Sequence, residues 1–294
     1  MALSVSTFIT APHGIDEIGP VLAALRDQLG PSDRLIVLDG TRSGPTLDPK
    51  TLPNEAVFEH VRDAGESAFS LRCHLIAMAD RDITILFEDH AVPAPHFVSE
   101  VRRLLADDPK ITAVMIQGRN DTSSEPWGWA NFLIAFAGCV HPAIEKPTTL
   151  IATSAAIRTT ALTKFTRTLG AWETQIMPKL GHDLDRLAYS NEVWIDHVEH
   201  SSMNQSMIGN YHNQRAISAI RVANGHRRGK LAVRAFKDLG IRRPGQIGRM
   251  LASRDEHRHF LKNRWRIVLI CWAATVGAIV GAWFGAGSSM REMH

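Results

Sequence analysis

The chain has 294 residues, 45% of them hydrophobic and 21% charged, with a net charge of +3. These are the proportions of a globular protein, and they exclude bulk disorder; the length suits one large domain or two small ones. Cys73, Cys139 and Cys271 lie far apart with no C-x-x-C pair, which argues against a zinc framework or disulfide scaffold and fits a reducing compartment.

In chain order, the start MALSVSTFITAPHG lacks a basic segment followed by a long apolar run, so no signal peptide is expected. Residues 5–10 predict a short strand, and residues 15–29 carry helical spacing at Ile18, Val21, Leu22, Leu25 and Leu29. RLIVLDG (34–40) predicts a second strand, and AVFEHV (56–61) a weaker third. Residues 66–79 read as a helix with Leu71, Leu75 and Met78 on one face. Residues 83–87 predict a fourth strand, 95–106 a helix and 111–117 a fifth strand. Continuous apolar strands alternating with helices predict an α/β fold, a mostly parallel sheet with helices on both faces. SEPWGWANFLIAFAG (124–138) reads as a substrate wall or as core. Residues 148–158 read as a strand leading into a helix, AWETQIMPKLGHDLDRL places Glu173 near a helix start, and EVWIDHVEHSS is a late strand with His197 and His200 at its end.

The charge is segregated. Residues 226–266 hold 13 Lys/Arg against 3 Asp/Glu, whereas residues 1–225 hold 19 against 26. Such a basic block binds nucleic acid or an anionic membrane. The segment immediately after it favours the membrane, and no nucleic-acid partner is expected. Residues 267–287 are charge-free, and as a helix they would span ~30 Å, about one hydrocarbon core. Helices in pieces, interrupted at Pro244-Gly245, are expected before it. The basic flank predicts a single pass with the main domain cytoplasmic. Gly277, Gly281 and Gly285 recur every fourth residue, a face suited to helix–helix self-association. The expected organisation is a main domain over 1–221, a basic membrane-proximal segment over 222–266, a transmembrane helix over 267–287 and a tail over 288–294.

Polar residues follow the carboxyl ends of the predicted strands: His13, Asp39, and the trio Glu88, Asp89 and His90. In open α/β sheets ligands bind at this edge. Taken alone, the trio suits a surface turn, a satisfied polar cluster, or a metal or phosphate site. There is no G-x-G-x-x-G after the first strand and no G-x-x-x-x-G-K-[ST], which disfavours a Rossmann dinucleotide site and a P-loop.

In their order and spacing, SVSTFITAPHGIDEIGPVLAALRDQL, DRLIVLDGTRSG and RDAGESAFSLRCHLIAMADRDITILFEDHAVPAPHF resemble family-2 glycosyltransferases of the GT-A fold, over roughly residues 4–221. The resemblance implies inverting, non-processive transfer of one sugar from a nucleotide-sugar donor; the membrane helix makes a lipid-linked or membrane-proximal acceptor the expectation, its identity open. The resemblance also implies a divalent metal, Mn²⁺ or Mg²⁺, at the family's D-x-D position, where this chain has Glu88, Asp89 and His90. It further implies His13, Asp39, Arg72, Asp89 and Arg215 as donor-binding residues, and Glu88, His90 and His200 as metal ligands, with His197 as the rival to His200. Glu173 matches the general base, with Asp183 and Asp185 as rivals. The processive family's Q-x-x-R-W motif is missing. A nucleotidyltransferase-like enzyme and a non-catalytic, membrane-anchored degenerate transferase are the alternatives.

Overall fold

The computed structural model describes residues 3–12, 14–41, 47, 56–62, 67–120, 125–143, 154–165, 168–197 and 201–290. The chain forms two compact units: residues 1–119 with 139–197, and residues 120–138 with 198–294.

In the first unit, β1 (Val5–Ala11), α1 (Gly19–Arg26), β2 (Arg34–Asp39) and β3 (Val57–Arg62) lead into α2 (Ala68–Met78), β4 (Ile83–Glu88), β5 (Ala91–Pro93) and α3 (Phe97–Asp107). After β6 (Ala113–Asn120) the chain supplies α4 (Pro126–Phe136) to the second unit. It returns for β7 (Ala155–Arg158), α5 (Thr159–Leu162), α6 (Met177–His182) and β8 (Leu187–His197). The eight strands form one sheet in the order β3-β2-β1-β4-β7-β6-β8-β5. β1 pairs in parallel with β2 and β4, and β2 with β3; β7 is antiparallel to β4 and β6, and β5 to β8.

Every residue of β1 is buried, as expected of a central strand covered on both faces. β3, at the edge, is only partly buried, which accounts for its weaker sequence signal. The predicted 15–29 helix is shortened to Gly19–Arg26, with Pro20 in its first turn, where a missing N–H costs nothing. Phe8, Ile36, Leu38, Leu71, Leu86, Ile157 and Trp172 build the core between sheet and helices.

The second unit adds α7 (Met203–Ala223), α8 (Arg228–Ala235), α9 (Arg243–Met250) and α10 (His257–Phe284) to α4. Ser202 and Gln205 close a reciprocal capping box at the start of α7. Pro244 does not interrupt the basic segment as the sequence suggested. It lies in the first turn of α9, joined to α8 by a π-helical stretch over Phe236–Arg242, and the break falls instead at residues 251–256.

α10 is a 28-residue helix long and apolar enough to cross a membrane, but half of its most apolar window is buried. Its small-residue face is taken by its own chain, a correction to the expected self-association. A Cβ on Gly277 would fall 2.1 Å from the Tyr211 carbonyl oxygen, and one on Gly281 2.0 Å from that of Arg215. Only glycine permits this approach of α7. Gly285 ends α10 with a φ of 76°, and a methyl placed on it would meet nothing within 4 Å, so it is a helix terminus and not part of a packing face.

Candidate active site

Register places the polar strand ends on one edge of the sheet. Ala11 of β1 lies opposite Asp39 of β2, and Thr10 of β1 opposite Glu88 of β4. β1 is the point where successive strands change direction across the sheet, the position at which open α/β sheets form a ligand crevice.

At the end of β4, Glu88, His90 and His197 bring one ligand atom each to within 4.8 Å of one another. His197 Nε2 lies 3.3 Å from Glu88 Oε2, and the His90 and His197 rings meet edge to face with centroids 4.6 Å apart. Asp89 does not face this cluster as a third acid. Its Oδ1 lies 2.7 Å from His90 Nδ1, which fixes the ring and leaves Nε2 directed at Glu88, 3.9 Å away. A carboxylate holding the far nitrogen of an imidazole is the usual support of a metal-binding histidine.

The resemblance makes His197 only the rival ligand; His200, like His13, lies outside the described residues. The sequence does carry one signal for His197. Val193, Ile195 and His197 alternate along β8 and all three are buried, so period two places His197 on the inward face.

Arg72, in the middle of α2, joins this cluster to Glu173. Only 5% exposed, it donates from Nη1 to Glu173 Oε1 (2.9 Å) and from Nη2 to Glu88 Oε1 (3.2 Å). Burial works against ionisation of Glu88, but the hydrogen bond from His197 and the charges of His90 and Arg72 outweigh it and hold the carboxyl at about 2. Glu173 shifts the other way: burial raises it above the usual carboxylate value, with Arg72 only partly compensating. Glu173 sits in a π-helical turn over Trp172–Ile176, beside the fully buried Trp172, and its Oε2 is buried without a hydrogen-bond partner. Asp183 instead reaches Lys179 at 3.4 Å on the surface, and Asp185 is exposed.

Asp39 is saturated. Oδ1 accepts from the Thr41 amide (2.8 Å) and hydroxyl (2.6 Å), while Oδ2 accepts from Arg62 Nε (3.1 Å) and lies 3.1 Å from His60 Nε2. Burial opposes its charge, but these contacts prevail and lower its pKa. Arg215, in the second unit, donates from Nε to the Gly285 carbonyl at the end of α10 (3.0 Å).

No protein-family model matches the chain, and no curated protein matches it by sequence. Among solved structures, a mannosyltransferase from Pyrobaculum calidifontis in complex with GDP-Man and Mn²⁺ superposes with a TM-score of 0.57 at 14% identity, covering 93% of this chain and 87% of the other. S. aureus TarS (residues 1–349) gives 0.49 at 10% identity, covering 95% and 91%. Glucosyl-3-phosphoglycerate synthase from Mycobacterium tuberculosis with phosphoglyceric acid gives 0.46 at 19%, covering 75% and 79%. The first likeness carries the fold: an α/β, GT-A-like mixed sheet, parallel across β3-β2-β1-β4, followed by a long apolar C-terminal helix.

Proposed function

We propose that the protein transfers a single sugar from a nucleotide-sugar donor, with a divalent cation, to an acceptor at or near a membrane. The observation that carries this reading is the Glu88, His90 and His197 cluster at the ligand-binding edge of a GT-A-like sheet, tied through Arg72 to a buried carboxylate.

The donor set fits a cation. One ionised carboxylate and two imidazoles, one of them held by Asp89, suit a borderline ion such as Mn²⁺ better than Mg²⁺, which prefers oxygen alone. Glu88, His90 and His197 would hold it, and it would supply positive charge to the departing nucleoside diphosphate.

Glu173 is the group suited to take the acceptor hydroxyl's proton. Its Oε2 carries an unused lone pair, and burial beside Trp172 raises its basicity. Arg72 holds it in place through the Nη1–Oε1 hydrogen bond and favours its charged form against burial. The donor-binding role of Asp39 is retained on the resemblance alone, since its own carboxylate is taken up by Thr41, Arg62 and His60. The donor-binding roles of His13 and Arg215 are retained on the resemblance alone.

The test is calorimetric titration with nucleoside diphosphates and a turnover assay with a panel of nucleotide sugars, each with and without Mn²⁺. Mn²⁺-dependent binding and release of nucleoside diphosphate support the assignment. Binding without turnover on any donor points to a degenerate transferase, and neither result leaves the assignment standing if Mn²⁺ has no effect.

A further inference from the structure

The apolar surface of the second unit suits a mode of membrane attachment different from the crossing that the sequence suggested. On α10, Leu261, Trp265, Val268, Leu269, Trp272, Val276 and Trp283 are all exposed. They recur at three- and four-residue intervals and so share one face along the helix. The opposite face, with Ile270, Ala274, Gly277, Ala278 and Gly281, is buried, and the close contacts of Gly277 with Tyr211 and of Gly281 with Arg215 lay α7 along it.

α7 could not follow α10 into hydrocarbon. Level with these contacts it carries Asn210, His212, Asn213, Gln214 and Arg215, and polar groups at bilayer depth are expensive. A helix half apolar and half covered by a polar partner suits an interface, with its free face sunk among the acyl chains.

The neighbouring elements agree. Phe236 is exposed on the α8–α9 connection with its ring 5.6 Å from that of Trp272; Ile241 is exposed on the same connection and Val233 on α8. An open groove bounded by Pro244, Phe260, Trp265, Val268 and Leu269 continues the apolar surface. Arg264 lines it as well, and Arg228, Lys230, Arg234, Arg258 and Lys262 are exposed on α8 and α10. Tryptophans and basic side chains beside an apolar stripe complement anionic headgroups above acyl chains.

We propose that α10, with α8 and α9, lies in the plane of an anionic membrane surface and leaves both ends of the chain on one side. This does not rest on the transferase assignment.

Cell-free synthesis of the full chain with sealed phosphatidylcholine/phosphatidylglycerol vesicles tests it. Ser288, exposed just beyond α10, is replaced by cysteine and probed with a membrane-impermeant maleimide; Cys73, Cys139 and Cys271 are buried, and the parent chain gives the background. Labelling of S288C on bound protein before permeabilisation is expected, and labelling only after it would show a crossing and overturn the proposal. Flotation should be stronger on anionic than on neutral vesicles and weaken with salt. The exposed-site variant L269E/V276E should lose vesicle binding on the order of 10-fold or more while keeping its circular dichroism. Undiminished binding by that variant, or a concentration-dependent dimer that it dissolves with no vesicle binding by the parent, would also overturn it. Mn²⁺-dependent nucleotide binding, measured on the same proteins, reports separately on the transferase assignment.

Discussion

Arg72→Met removes the guanidinium that Glu88 and Glu173 share while keeping most of the side-chain volume. Removing one member of a buried ion pair costs about 3–5 kcal/mol when the other charge is left without compensation. Glu88 retains His90 and His197, so the penalty falls on Glu173, whose side chain is 6% exposed. Glu173 limits its loss by taking a proton. The ceiling is then about 1.4 kcal/mol for each unit by which the mutation raises its folded pKa above the wild-type folded value. In the wild type burial already raises that pKa, and losing Arg72 raises it further. The folded state then binds the proton more tightly than the unfolded chain. The penalty is therefore small below the ordinary value of 4.5 and grows as pH climbs through the raised one. Urea unfolding should show a loss of about 3 kcal/mol near pH 8 and under about 1 kcal/mol near pH 5. Arg72→Lys, which keeps the charge but not the fork, should fall between. An equal loss at both pH values would mean that Arg72 acts through packing, and no loss at either would refute the ion-pair argument.

Three further outcomes rest on the geometry of the two units. Glu88→Gln, His90→Ala and His197→Ala should each weaken Mn²⁺-dependent nucleoside diphosphate binding by on the order of 10-fold or more, whereas an unchanged titration in all three would remove the cation site. Glu173→Gln should lower kcat by ~100-fold or more with donor binding intact, and wild-type kcat should fall as pH drops through the raised Glu173 value; a near-normal rate would shift the base to Asp183 or Asp185. Gly281→Ala places a methyl against the Arg215 carbonyl and should cost the second unit about 1–3 kcal/mol in a thermal melt, and an unaltered melt would show that α7 and α10 separate freely.

The sheet was legible because its strands are apolar throughout: residues 5–10, 34–40 and 83–87 differ from β1, β2 and β4 by a residue or so at one end. Glu88 and His90 were legible for a related reason, since a carboxylate and an imidazole ending a buried strand need a partner. Of their partners, His197 was legible from the alternation of β8, but the reach of Arg72 was not. Arg72 lies on a helix buried around much of its circumference, and nothing local says that it reaches Glu173, 101 residues away. The glycines of α10 misled because close approach is written in small residues, while the identity of the approaching helix is written elsewhere, in α7. Pro244 misled because a proline that breaks a helix and one that begins a helix read alike until its turn is known.

The strand order also sets a length. Asp39 and Glu88 end β2 and β4, which flank β1, so two inter-strand steps of about 4.8 Å separate the acids by roughly 10 Å across the sheet edge. On the proposed reading, a ligand spanning the ends of both strands would be an extended molecule lying across them. A free sugar or a lone phosphate would reach only one of them. On the proposed reading, strand spacing would select ligands by reach before any side chain distinguished them by chemistry.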